Sequence, residues 1–309
     1  MAYQKEEPLV SVIIPFFNAA QFINATIESV ITQSYINWEI ILIDDASTDK
    51  SYQIAESFVQ KFPDKIFLFT HPQNQNKGAA ASRNLGFAKS SGDLITFLDS
   101  DDLWLPQKLK TQVDLMHSNS EIDVLCEATK YWNSWFDPDA KDYIIPIGAP
   151  SEKLYYPPTL AAKLYPLGNG DSFCTCALML RRQSFEAVEG FDESFTGSNQ
   201  LFEDQTFFLK TCLTQKVYLS SICNNIYRQR PNSLMHGLIA NGHYESALHY
   251  FLKWLNNYVK SKSIQSAEIS FLLKKAFVRL KYPLFFKILN VVKRVGLKFK
   301  KILKGQSKK

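Results

Sequence analysis

The chain has 309 residues, enough for one large domain or one domain with an appendage. Apolar residues make up 46 % and charged residues 21 %, which excludes disordered and collagen-like chains, and no run of about 18 apolar residues occurs that would suit a spanning helix. The net charge of +5 is unevenly spread: residues 1–269 hold all 30 acids and 22 Lys+Arg, whereas the last 40 residues hold 13 Lys+Arg and no acid, a division that suggests two tasks on one chain.

The opening MAYQKEEPLV carries two acids before the first apolar run, and Pro15 and Asn18 break that run. No signal peptide is expected from this pattern, and a cytoplasmic location is. Val10–Pro15 reads as a strand, and Ala19–Gln33 has helical spacing, with Phe22, Ile23, Ile27, Val30 and Ile31 on one side. Trp38–Ile43 is a second strand, Asp49–Phe62 a second helix, Ile66–Thr70 a third strand, Gly78–Lys89 a third helix and Leu94–Leu98 a fourth strand. Alternation of this kind, with nearly continuous apolar strands, predicts an α/β fold whose mostly parallel central sheet is covered by helices on both faces. Ligands of such sheets sit beyond the C-terminal strand ends, which directs attention to Asn18, Asp44–Asp45 and Asp99–Asp102.

After Leu105 the pattern loosens. Leu105–His117 reads as a helix and Asp123–Thr129 as a strand, while Trp132–Gly170, rich in Pro, Tyr and Trp, has the look of a substrate loop or lid. Cys174–Leu180 reads as a strand that sets Cys174 and Cys176 on one face, Glu203–Leu213 as a helix, and the chain from Gly237 onward as helical. Residues 1–235 are therefore expected to form the α/β domain and 236–309 a helical extension with the basic tail. The five cysteines include no CxxC pair and read as small buried hydrophobes in a reducing compartment. His236, His243 and His249 lack the i,i+4 spacing of a helical metal pair.

Two acidic loops carry the chemistry. Asp99-Ser100-Asp101-Asp102 follows a strand, and three carboxylates in four residues repel one another unless a cation or donor groups intervene. Oxygen ligands alone favour Mg²⁺ or Mn²⁺, which share their shell with substrate phosphates; a solvated loop or a helix cap is the competing reading. Asp44-Asp45-Ala46-Ser47-Thr48-Asp49 also follows a strand, where Ser47 or Asp49 can cap the next helix and a carboxylate is left to accept a nucleotide base N–H. Gly168-Asn169-Gly170 lacks the third glycine of a dinucleotide fingerprint and reads as a turn; no Walker A sequence, kinase catalytic loop or HExxH occurs.

Five blocks then occur in order: Val10-Ser-Val-Ile-Ile-Pro-Phe-Phe-Asn18, Ile43-Asp-Asp-Ala-Ser-Thr-Asp49, Lys77-Gly-Ala-Ala-Ala-Ser-Arg-Asn-Leu-Gly86, Gly92-Asp-Leu-Ile-Thr-Phe-Leu-Asp-Ser-Asp-Asp102, and Gly190-Phe-Asp-Glu193 followed by Glu203-Asp204. Over roughly residues 10–233 the chain resembles the family 2 inverting glycosyltransferases of the GT-A fold. The resemblance implies a nucleotide pocket at Pro15, Phe17 and Asn18, with Phe17 able to stack on a base and Asp45 on the base itself. It implies a DxD motif at Asp99, Ser100 and Asp101, with Asp101 and Asp102 reaching a Mg²⁺ or Mn²⁺ ion, the ribose and the diphosphate, and with Gly78 and Arg83 near the donor. Asp204 matches the catalytic base, for which one displacement at a sugar needs a single carboxylate. The QxxRW signature of processive members is absent; Tyr227-Arg-Gln-Arg230 stands in that neighbourhood without matching it. The activity implied is a non-processive transfer from a nucleotide-diphosphate sugar, a UDP-sugar by the family's commonest usage, to a lipid-linked or cell-surface glycan. A membrane-bound nucleotide-binding scaffold and a sugar nucleotidyltransferase are the alternatives; the latter lacks its glycine-rich loop here.

After Pro283, Leu284, Ile288, Val291, Val292, Val295, Phe299, Ile302 and Leu303 fall on one helical face, with Lys287, Lys293, Arg294, Lys300, Lys301 and Lys304 on the other. Such a pattern suits a helix on an anionic membrane surface, and peripheral attachment to the inner face of the cell membrane is expected, with no nucleic-acid partner. A helix packed on its own domain is the competing reading.

Overall fold

A computed structural model describes residues 7–230 and 234–282; the basic run after Pro283 lies outside the described residues, as does the side chain of His236. In chain order the elements are β1 (Val10–Phe16), α1 (Ile23–Ile31), β2 (Trp38–Asp44), α2 (Ser51–Lys61), β3 (Ile66–Thr70), α3 (Ala79–Lys89), β4 (Leu94–Phe97), β5 (Leu103–Trp104), α4 (Lys108–Ser118), β6 (Val124–Cys126), β7 (Thr129–Trp132), β8 (Tyr143–Ile145), β9 (Lys153–Tyr155), β10 (Leu178–Arg181), α5 (Arg182–Ala187), α6 (Glu203–Thr214), β11 (Val217–Leu219), β12 (Asn225–Arg228), α7 (Leu234–Ala240), α8 (Tyr244–Ser261) and α9 (Ala267–Lys281).

Eight strands form the main sheet in the order β3-β2-β1-β4-β10-β6-β11-β9. The first four are parallel, as the strand–helix alternation predicts; β10 is antiparallel to both its neighbours. Alternate side chains of β1 enter opposite cores. Ile13 packs in one with α3, α6 and α8, and Val12, Ile14 and Phe16 pack in the other with α1, α2 and α4. Burial on both faces is why these strands read as unbroken apolar runs. Helix α3 lies so close to β1 that a Cβ on Gly86 would stand 2.3 Å from Ile13 Cγ2.

A small sheet, β5-β12-β7-β8, flanks the acidic loop. The buried Lys108–Glu127 ion pair ties it to the main body, with Glu127 also accepting from the Asn225 side chain at 2.9 Å. Helices α8 and α9 share the first core: Phe251 stacks on Phe202 with centroids 4.9 Å apart, and Trp254 Nε1 donates to Asp192 at 2.6 Å.

Local details differ from the sequence reading. The strand expected over Cys174–Leu180 begins only at Leu178, because Thr175–Ala177 is a 3₁₀ turn. Cys174 and Cys176 therefore do not share a strand face; Cys176 Sγ lies 3.5 Å from Asn225, and Cys174 Sγ 3.9 Å from the Tyr131 hydroxyl. The strand expected over Asp123–Thr129 splits into β6 and β7, which join different sheets. All five cysteines are free thiols, and Cys126, Cys176 and Cys212 are buried. Among the described residues, no helix is long and apolar enough to cross a membrane.

Candidate active site

The C-terminal ends of β1, β2 and β4 open into a cavity of about 550 Å³ whose lining includes Pro15, Phe17, Asp45, Gly78, Arg83, Asp99, Ser100, Asp101 and Asp204. Asn18 and Asp102 are the two expected site residues that do not line it. Both are structural where they stand. Asn18 adopts a left-handed φ of 48°, accepts from the Thr48 amide at 2.8 Å, and gives its own amide to Ser47 Oγ at 3.0 Å, so it stitches the two nucleotide-side loops together. Asp49, as expected, satisfies the start of α2: it accepts the Ser51 amide at 2.9 Å, and its other oxygen accepts the Ala20 amide at 3.0 Å, while Lys50 is the N-cap residue.

Asp45 is buried, and its two oxygens accept the amides of Lys77 (2.6 Å) and Gly78 (2.9 Å). Gly78 has φ +86°, a conformation that costs glycine little, and it is the N-cap from which α3 starts. Burial raises the Asp45 pKa, against which these two amides and His71 work. Phe17 is half exposed at the rim, free to take a flat ring.

Arg83, 4 % exposed, lies between Asp99 and Glu203, donating to each at 2.7 Å, with its plane 5.1 Å from the Phe191 ring. Burial alone would lower its pKa, but the two carboxylates outweigh that and hold the charge more firmly than usual. The three acids of the Asp99–Asp102 loop are thus answered by arginines and amides. Asp101 pairs with Arg230 at 2.6 Å, and Asp102 accepts the Arg228 amide at 2.9 Å while its other oxygen is buried without a partner. Asp102, expected among the metal ligands, is 1 % exposed and turned away from the cavity, because the β5–β12 pairing seals it beneath the small sheet. Burial first, then Asp101 and Asp99, push its pKa well up; burial also raises that of Asp101 despite the opposing Arg230.

Across the cavity, Asp204 stands in the first turn of α6, one residue beyond Glu203. Burial, with the Glu203 charge adding to it and Arg83 opposing, pushes its pKa up to about 7. A carboxylate tuned to neutrality in a cleft is fitted to take a proton. Thr175, Gln200, Tyr227 and Arg230 also line the cavity and were not singled out as site residues from the sequence. Only Tyr227 and Arg230 left a trace there, in the Tyr227–Arg230 segment.

No group of three His, Cys, Asp or Glu side chains among the described residues forms a metal cluster. The donor set still suits a hard divalent ion: Asp99 and Asp101 each keep one carboxylate oxygen outside their arginine pair, and such ions complete their shell with substrate phosphates and water.

The model of the family described as glycosyl transferase family 2 matches residues 11–188. An uncharacterized glycosyltransferase of Haemophilus influenzae is 48 % identical over 112 residues, covering 36 % of this chain and 44 % of that protein. The UDP-Glc:alpha-D-GlcNAc-diphosphoundecaprenol beta-1,3-glucosyltransferase WfgD of Escherichia coli is 41 % identical over 117 residues, 37 % of this chain and 44 % of WfgD. The chain thus spans about half the length of these curated relatives. Among solved structures, S. aureus TarS 1–349 in complex with UDP superposes with a TM-score of 0.58 at 18 % identity, over 87 % of this chain and 71 % of TarS. The mannosyltransferase PcManGT of Pyrobaculum calidifontis, in complex with GDP-Man and Mn²⁺, gives 0.56 at 15 % identity, over 89 % and 70 %. At these identities the two structures speak to fold alone, and the fold is GT-A.

Proposed function

The chain belongs to glycosyl transferase family 2, and on that premise we propose that it is a non-processive, inverting transferase moving one sugar from a nucleotide-diphosphate sugar to a hydroxyl of a lipid-linked or cell-surface glycan. The observation that carries this reading is the convergence, in one cavity, of the Asp99–Asp101 loop and Asp204, more than a hundred residues apart in sequence. UDP is the proposed nucleotide, in line with the UDP bound by TarS and the UDP-Glc in the name of WfgD. The diphosphoundecaprenol in that same name supports a lipid-linked acceptor.

In the proposed mechanism, Phe17 stacks on the base and Asp45, braced by the Lys77 and Gly78 amides, fixes the loop that receives it. Asp101, with Asp99 beside it, would hold a Mg²⁺ or Mn²⁺ ion through the carboxylate oxygens left outside their arginine pairs. Such an ion supplies Lewis-acid neutralisation of the charge developing on the leaving diphosphate. Arg83 keeps Asp99 and Glu203 aligned, one at each end of its guanidinium. Asp204 takes the proton of the attacking hydroxyl, and a single displacement with a single base inverts the anomeric centre. Residues 283–309, read from sequence, are proposed to bring the enzyme to an anionic bilayer surface.

Thermal stabilisation by UDP, GDP and dTDP, with and without Mn²⁺, tests the donor assignment; stabilisation by UDP that depends on Mn²⁺ is expected. Mass spectrometry of products from a panel of sugar nucleotides, with lipid extracts as acceptors, then identifies the transfer. A panel giving neither nucleotide binding nor product would remove the transferase reading.

A further inference from the structure

We propose that Arg230 is a built-in counterion of Asp101 that a divalent cation displaces, and that the freed guanidinium then pairs with the donor diphosphate. The inference rests on the nucleotide-sugar reading above and deepens it by assigning a positioning role to a residue outside the family's matched region.

Three guanidiniums surround the acidic loop, and they are held differently. Arg83 is locked between two carboxylates with its side chain 5 % exposed. Arg228 gives its Nε–H to the Asp101 carbonyl at 2.7 Å, and its plane lies about 5 Å from the rings of Phe22, Trp132 and Trp135. Arg230 has one carboxylate partner, Asp101 Oδ2 at 2.6 Å, and a looser approach to the Phe22 ring at 5.4 Å; its side chain is 39 % exposed. Of the three, Arg230 can leave its partner with least rearrangement, since its side chain is open to solvent and has a single carboxylate to release.

Asp101 is also where a cation would have to enter, because its side chain is on the cavity wall while Asp102 is sealed. A divalent ion binds a carboxylate oxygen at about 2.1 Å. A guanidinium nitrogen resting 2.6 Å from the same carboxylate would then face a doubly charged neighbour at close range. The two cations repel, and the singly charged one is displaced. The planar fork of a displaced arginine matches phosphate oxygens, and a diphosphate arriving with the ion supplies them within the same cavity. Cation and nucleotide should therefore bind cooperatively: the ion alone has to break the Arg230 pair, whereas with the diphosphate present the guanidinium exchanges one anionic partner for another.

Calorimetric titrations of the full chain, wild type and Arg230→Gln, test this with Mn²⁺ alone and then with Mn²⁺ in the presence of UDP. Without nucleotide, R230Q should bind Mn²⁺ about tenfold more tightly than wild type, the loss expected for one charge-assisted pair. UDP should improve the Mn²⁺ affinity of wild type by a larger factor than that of R230Q. Arg230→Lys, which keeps a cation at the position, should resemble wild type in Mn²⁺ alone. Equal or weaker Mn²⁺ binding by R230Q overturns the proposal, as does absence of Mn²⁺ binding in both proteins. Tighter Mn²⁺ binding with unchanged UDP coupling overturns the transfer to the diphosphate. Wild type that binds Mn²⁺ but none of UDP, GDP and dTDP instead removes the nucleotide-sugar reading, a result distinct from each of the others.

Discussion

Burial lifts Asp204 to about 7 from an ordinary 3.8, so its carboxylate should be half protonated near neutrality. A general base must be ionised, and kcat/KM is expected to fall as pH drops through about 7, with a pH–rate profile as the check. Asp204→Asn keeps shape and hydrogen bonding but cannot take a proton; turnover should fall roughly 10²–10⁴-fold with donor affinity nearly unchanged. Retention of half the activity would move the base elsewhere, with Glu203 the next candidate. The same shift acts on stability. The folded protein holds this proton more tightly than the unfolded chain between 3.8 and about 7, so rising pH across that window costs stability. D204N escapes the penalty, and its Tm should gain on wild type from pH 4 to pH 8. Arg83 belongs to the same cluster with the opposite sign. Arg83→Ala leaves Asp99 and Glu203 facing each other without their cation, and unfolding in urea should show a loss of about 3 kcal/mol.

At the level of elements, helix α3 reaches the site because it packs unusually close to β1. Gly86 makes that approach, and the helix start at Gly78 presents two amides to Asp45. Gly86→Ala gains about 1 kcal/mol of helix propensity but forces a methyl against Ile13, for which overpacking typically costs about 1–3 kcal/mol. A net loss in a urea titration is the expected outcome, accompanied by weaker nucleotide binding as α3 shifts. A gain in stability would show that α3 can slide along β1 without cost. The small sheet plays a comparable part for the acidic loop: Arg228, at the end of β12, donates its amide to Asp102 and its guanidinium to the Asp101 carbonyl.

For the whole molecule, the two ends of the region after residue 235 should behave differently. Phe251, Leu255 and Ile269 are fully buried in the core that also holds Phe202 and Phe207. A chain ending at residue 235 should therefore fail to fold, giving no cooperative thermal transition. A chain ending at residue 282 keeps all of the described core. It should melt like the full chain and turn over a short soluble acceptor normally, yet pellet poorly with phosphatidylglycerol vesicles at low salt, each lost Lys or Arg removing roughly 1 kcal/mol of surface attraction. Undiminished pelleting by the shortened chain would sink the membrane role of the basic run.

The sequence by itself determined the parallel half of the sheet, its helices on both faces and the places where acidic loops leave the strands. Those features rest on local causes: a two-sided apolar strand, a helical period, and turn residues at strand ends, all within a dozen residues of one another. It did not determine where β10 begins or that β6 and β7 part, since short strands take their sheet from partners distant in the chain. In the site, Asp45, Asp99, Asp101 and Asp204 were legible as acids in motif positions. Only the tertiary structure decided which acids face the cavity and what each one meets. Asp102 turns away because β12 pairs with β5 above it; Arg83 reaches Glu203 across 120 residues; Arg230 reaches Asp101 across a similar span. Such pairings depend on the register of strands brought together from distant parts of the chain. No local periodicity encodes that register.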